Sequence, residues 1–104
     1  MLPRRRMDCA VVYCEAALSD LRAITAFISA DSMEIAERFG NRLVDLAESL
    51  RRMPQRGRLV KGWTDVRVIV LSPYLIFYRL EAAANRVEIL RFWHGAKELG
   101  ALEI

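Results

Sequence analysis

One histidine and two cysteines are the only soft ligands that the 104 residues offer. A zinc site needs three or four such ligands at set spacings, so no metal is expected, and nothing in the sequence asks for a cofactor. The cysteines, Cys9 and Cys14, stand five apart in a strand-like run. Side chains alternate along a strand, which sends these two to opposite sides and rules out a bridge between them. They read as small buried apolar residues. Long apolar runs are missing too: nothing approaches the roughly 18 residues a membrane-spanning helix requires. The opening Arg4-Arg5-Arg6 resembles the basic start of a secretion signal, but the apolar stretch behind it is broken at Glu15. A cytoplasmic protein without membrane attachment is the expectation. Three prolines and five glycines in a chain that is 54% hydrophobic and 28% charged exclude both fibrous and disordered classes. One domain over residues 1–104 is expected, with residues 1–7 a flexible tail and Met7 an alternative start.

Charge is present but unevenly placed. The net +3 conceals a −5 balance over residues 7–50 and a +6 balance over residues 51–80, where Asp65 is the sole acid. Such a concentration attracts polyanions or acidic protein surfaces. The plainer reading is a solvated basic loop beside a helix end, where Arg51 and Arg52 suit the helix dipole.

The hydrophobic pattern gives an order of elements. Residues 8–14 are strand-like. Ala17, Leu21, Ile24 and Ile28 then recur at helical spacing. Asp31, with Glu34 three residues on, resembles a capping box opening a second helix. Its apolar stripe runs through Ala36, Phe39, Leu43, Leu46 and Leu50 to Met53, and Pro54 stops it. Gly40 inside it permits a close approach between helices. A loop with three basic residues follows, and then three strands at 66–71, 74–80 and 87–93, the first two joined by Ser72-Pro73. Residues 67 and 79 are expected on the same face of their paired strands. The fold class is α+β, β-α-α-β-β-β: a helical hairpin on a small, mainly antiparallel sheet.

Read together, Ala17-x-x-Asp20-Leu21-x-x-Ile24-x-x-x-Ile28, Ala36-x-x-Phe39-x-x-x-Leu43, Pro54-x-x-Gly57-Arg58, Arg67, Tyr74-x-Ile76-x-Tyr78-Arg79 and Val87-Glu88-Ile89-Leu90-Arg91-x-x-His94-Gly95 resemble the ParE branch of the ParE/RelE toxin superfamily. The resemblance implies the toxin of a type II toxin–antitoxin pair, in a hetero-oligomer with a ParD-like antitoxin whose disordered tail folds onto the helical hairpin and sheet edge. It implies DNA gyrase as target, poisoned without enzymatic action, and contact with nucleic acid only through antitoxin or target. The residues expected to meet partner or target are Arg56, Arg58, Lys61, Trp63, Arg67 and Arg79. The competing, RelE-like branch cuts mRNA in the ribosome. That chemistry needs a base for the 2′-hydroxyl, cations on the phosphate and an acid for the leaving oxygen. Arg67, Arg79 and His94 would then be the catalytic set, with Tyr74 and Tyr78 as further candidates. RelE-like enzymes carry extra lysines before the second strand or a His-Tyr pair near the C terminus. This chain has Val60-Lys61-Gly62 and His94-Gly95 there instead. Taken on their own, a strand-end histidine is more often structural. Two sheet arginines often do no more than cover apolar surface with their stems. Trp63 and Trp93 suit an interface anchor or a core lid, and Trp93 reads as the lid.

Overall fold

A computed structural model describes residues 8–104; the Arg4–Arg6 tail and Met7 lie outside the described residues. Strand β1 (Ala10–Tyr13) leads into helix α1 (Glu15–Ser29), which turns back through helix α2 (Met33–Glu48) and a 3-10 turn (Ser49–Arg51). The short strand β2 (Arg58–Leu59) follows, and then β3 (Val66–Leu71), β4 (Tyr74–Glu81) and β5 (Arg86–His94). The five strands form one sheet in the order β1-β5-β4-β3-β2. Only β1 and β5 run parallel; every other pair is antiparallel. The α+β architecture expected from the pattern is therefore observed, with β2 added at an edge where the sequence read as loop.

The helices cover one face of the sheet. Ala17, Ile24, Leu43, Ala47 and Leu50 pack on Ile69, Ile76, Tyr78, Val87, Ile89 and Phe92. Gly40 lets the two helices approach closely, because a β-carbon there would lie 3.0 Å from the Thr25 methyl. On the other face Val66, Val68, Phe77, Leu90 and Trp93 form a second cluster under Leu102, with Val60 and Trp63 beside it. A sheet buried on both faces explains why its strands read as apolar on both alternations.

Three details differ from the sequence expectation. Ser32, not Asp31, caps α2: its hydroxyl accepts the Ile35 N–H at 3.1 Å. Asp31 and Ser32 both donate backbone N–H groups to Ile28 O, so Asp31 belongs to the closing turn of α1. The α-helix ends at Glu48, and the tighter 3-10 turn rotates the chain so that Met53 leaves the stripe and is exposed. Arg67 and Arg79 lie on opposite faces. The two-residue turn pairs Leu71 with Tyr74, and counting back one for one sets Arg67 opposite Tyr78 and Val66 opposite Arg79.

The open edge of β5 is closed by side chains. β1 ends opposite Ile89, and at the bulge the register steps from Phe77↔Arg91 to Tyr78↔Ile89. Beyond that point α1 takes over the role of a strand. Asp20 accepts the Phe92 N–H at 3.1 Å and holds the Arg91 guanidinium through two bonds of 2.7 and 2.9 Å. These hydrogen bonds, working against burial, raise Arg91 above its ordinary value. The thiols stay unbridged: Cys9 donates toward Asn85 Oδ1 and Cys14 toward Leu90 O.

Candidate functional site

The sequence-predicted residues fall at two ends of the sheet. At the β2–β3 end, residues 54–58 form a turn held from beneath by Tyr78. The Tyr78 hydroxyl donates to Pro54 O at 2.7 Å and accepts the Gly57 N–H at 2.9 Å. Burial pushes this phenol above its ordinary value, against the opposing pull of the Gly57 N–H and of Arg67 and Arg56. Arg67 donates to Gly57 O at 2.7 Å and to Gln55 O at 3.3 Å. Gly57 is required by space, since a β-carbon would sit 2.7 Å from Val68 O and 2.8 Å from the Tyr78 hydroxyl oxygen. Arg56 reaches Ser49 Oγ at 2.9 Å and ties the turn to the end of α2.

Arg58 and Lys61 are exposed and make no ion pair among the described residues. Arg79 leaves this group: it emerges on the opposite face and meets only Thr64 O, at 3.5 Å. Trp63 is half-buried, edge-on to Phe77 with ring centroids 6.4 Å apart. Trp93 is a core residue, as expected, flanked by the Arg91 and Lys97 cations at 5.1 and 4.8 Å from its ring.

The other end of the sheet holds His94. An open pocket of about 340 Å³ is lined there by Asp20, Ala23, Ile24, Phe27, Tyr74, Phe92, His94 and Lys97. His94 pairs directly with Tyr74 across the strands, and the two rings meet edge to face with centroids 5.0 Å apart. The Ala96 N–H donates to His94 Nδ1 at 3.0 Å, which fixes the neutral tautomer with its proton on Nε2. Tyr74 is 93% buried by the complement of its 7% exposure, yet its hydroxyl has no hydrogen-bond partner among the described residues. The pocket thus presents donors: an imidazole N–H, a phenol and an ammonium. Its one carboxylate, Asp20, is committed to Arg91 and Phe92.

Arg67 and Arg79 do not join this group. From the Tyr78 row to the Tyr74 row is four residues, roughly 13 Å, and β3 and β5 are two strand spacings, roughly 10 Å, apart. The set Arg67, Arg79 and His94 therefore does not form one site. Tyr74 supplies the aromatic neighbour that the sequence lacks beside His94. Lys97, Phe27 and the role of Asp20 were not evident from sequence, because each reaches the pocket from a different element. Among the described residues no group of three or more His, Cys, Asp or Glu is placed to hold a metal ion, and no helix is long and apolar enough to cross a membrane.

A second, larger groove of about 530 Å³ runs between the helices, lined by Leu21, Thr25, Met33, Ala36, Gly40 and Val44 among others. Met33, one of its lining residues, is 78% exposed.

Comparison with known proteins bears on this geometry. Residues 11–99 match the family model of the ParE toxin of the type II toxin–antitoxin system parDE. The chain is 39% identical over 87 residues to Toxin RelE2 of Caulobacter vibrioides, covering 84% of this chain and 96% of that protein. Among solved structures it resembles the chromosomal ParDE system of P. aeruginosa with a TM-score of 0.71 at 20% identity, covering 85% of this chain and 97% of that one. It also resembles the toxin–antitoxin complex RelBE2 of Mycobacterium tuberculosis, with a TM-score of 0.68 at 22% identity over 89% and 98% of the two chains. At these identities the structural likenesses carry the fold.

Proposed function

The chain belongs to the ParE/RelE superfamily of type II toxin–antitoxin toxins, and from that premise we propose that it is silenced by an antitoxin and, once released, cleaves RNA in the RelE manner. The observation carrying the target is the His94 pocket, where His94, Tyr74 and Lys97 converge on one open cavity. The 39% identity to a protein named as a RelE toxin supports the same reading.

In such a cleavage the 2′-oxygen attacks the neighbouring phosphorus and loses its proton to solvent water, the bond to the 5′-oxygen breaks, and that leaving oxygen takes up a proton. Negative charge grows on the phosphoryl oxygens and on the leaving oxygen. Donors aimed at that charge lower the barrier. His94 Nε2–H, the Tyr74 hydroxyl and the Lys97 ammonium are such donors. The Lys97 ammonium is the one suited to give its proton to the leaving oxygen, because a neutral imidazole would have to become an imidazolate, and His94 serves as a hydrogen-bond donor to the developing charge. With Asp20 committed elsewhere, the pocket's contribution is charge stabilisation and leaving-group protonation rather than base catalysis.

For silencing, the groove between α1 and α2 suits the apolar face of an amphipathic antitoxin segment. The two relatives solved as ParDE and RelBE2 systems support a partner of that kind.

A gyrase-poisoning reading is kept by two observations: the family model names ParE, and the arginines stand apart from His94. The deciding experiment runs a ribosome-programmed mRNA cleavage assay beside a gyrase supercoiling assay on purified toxin. We expect cleaved message and untouched gyrase, with His94→Ala reducing the cleavage rate about 10²–10³-fold at an unchanged melting temperature. Trapped, broken plasmid with intact message would transfer the chain to the gyrase reading and leave His94 a structural residue.

A further inference from the structure

Four backbone atoms of the 54–58 turn are taken by side chains from the sheet. Tyr78, fully buried, spans the turn by bonding Pro54 O and Gly57 N–H at once. Arg67 takes Gly57 O and Gln55 O. The next residue after this fixed peptide is Arg58, the first residue of β2, registered opposite Val68. Tyr78 holds the Arg56–Gly57 peptide through the Gly57 N–H, and Arg67 holds the Gly57–Arg58 peptide through Gly57 O, so the direction in which Arg58 is presented is set from inside the core.

The surface so presented has a recognisable chemistry. Arg56, Arg58 and Lys61 lie within six residues, Arg52 is close by in sequence, and no acid occurs from residue 49 to residue 64. Exposed Met53 and Leu59 are interleaved with these cations. Cations mixed with aliphatic side chains suit an acidic amphipathic peptide. A single-stranded nucleic acid would want exposed aromatic faces for its bases, and the nearest, Trp63, is half-buried and turned edge-on to Phe77.

We propose that Tyr78 is a positioning residue for protein recognition: it acts through Pro54 O and the Gly57 N–H to hold the basic turn, and with it Arg58, in register for an acidic segment of the antitoxin. The proposal rests on the reading above that an antitoxin silences the chain, and it adds the contact chemistry and the residue that sets it.

The test uses the full-length protein and a fluorescent polyglutamate peptide as probe, at low and at high ionic strength, with an oligouridine strand as the competing probe. Wild type should bind polyglutamate at low salt and release it at high salt. Arg58→Gln and Tyr78→Phe should each weaken binding about 5- to 10-fold, while Arg38→Gln, on the paired face of α2, changes nothing. The informative variant is the double one. If Tyr78 acts through Arg58, Tyr78→Phe with Arg58→Gln binds no more weakly than Arg58→Gln alone. Additive losses, or a folded Tyr78→Phe that binds like wild type, would overturn the positioning role and leave the antitoxin reading standing. Tight oligouridine binding with no polyglutamate binding would overturn the acidic-peptide surface itself. Should Tyr78→Phe fail to fold, Arg67→Met cuts the second tie to the same turn without opening the core, and unchanged polyglutamate affinity in that variant would overturn the proposal equally.

Discussion

The two ends of the sheet are built on opposite logics. At the β2–β3 end the inward polar groups of the 54–58 turn are matched: Tyr78, Arg67 and Arg56 between them satisfy five partners, and there is no room even for a β-carbon on Gly57. At the His94 end the same side-chain types stand unmatched around an open cavity, with a phenol and an imidazole N–H lacking partners among the described residues. A satisfied cluster fixes geometry, whereas donors that face an open cavity are free to meet a ligand. On the proposals above, presentation falls to one end and chemistry to the other. It also shows why residue type alone misleads: Arg67 has the charge of a catalytic cation and spends it on two backbone carbonyls.

The largest stability effect should come from the boundary of the His94 end. Asp20→Ala strands the Arg91 guanidinium, about four-fifths buried, and unpairs the Phe92 N–H, so it should cost roughly 2–4 kcal/mol. Thermal or denaturant unfolding measures this. Amide exchange should show β5 opening near Phe92 while Gly57 keeps its protection. Asp20→Asn retains an acceptor for Phe92 and should lose less. If Asp20→Ala unfolds like wild type, the closure of the β5 edge has been misread.

Gly57→Ala attacks the other end. Its methyl would meet Val68 O, which is backbone and cannot swing aside, and should cost about 1–3 kcal/mol. Here the exchange pattern should reverse, with the 54–58 turn loosened and the β5 edge protected. A variant that loosens both ends together would show that they are one cooperative unit, which would dissolve the distinction between them.

Much of this arrangement was legible in the residues. The helical stripe through Ala36, Leu43 and Leu50, and the β3–β4 pairing around Ser72-Pro73, are local patterns with one physical solution. The opposite-face placement of Arg67 and Arg79 was legible too, since a two-residue turn fixes the register and hence the face of each partner; alternation within each strand alone does not relate the two strands. Other features had no local signature. The β5 bulge at Leu90 shifts the alternation so that Phe92 and His94 share the helix-covered face with Ile89, and nothing in Leu90-Arg91-Phe92 announces an extra residue. Lys97 and Phe27 meet His94 only because α1 crosses the end of β5. The Tyr78 bonds to Pro54 and Gly57 span 24 and 21 residues, so the motif Pro54-x-x-Gly57 was visible while its reason was not.

The smallest effect sharpens the comparison at the satisfied end. Tyr13 donates to Glu48 Oε2 at 2.7 Å, and Arg51 pairs with the same carboxylate, joining β1 to the end of α2. Burial pushes the Glu48 carboxyl up, but the hydrogen bonds from Tyr13 and Arg51 outweigh it, and the net value lies below the ordinary 4.5. A carboxyl depressed on folding contributes stability above its unfolded value and loses it as pH falls through the folded one. The contribution should therefore be intact at neutral pH and fade below about pH 4.5. The Glu48 side chain is 35% exposed, so solvent screening limits the gain to about 0.5–1 kcal/mol. Tyr13→Phe removes one of the two bonds, which should lower stability at pH 7 and flatten its decline toward acid. An acid-unfolding slope identical to that of wild type would mean that Glu48 owes its depression to Arg51 alone, and that β1 is held to α2 by packing rather than by this hydrogen bond.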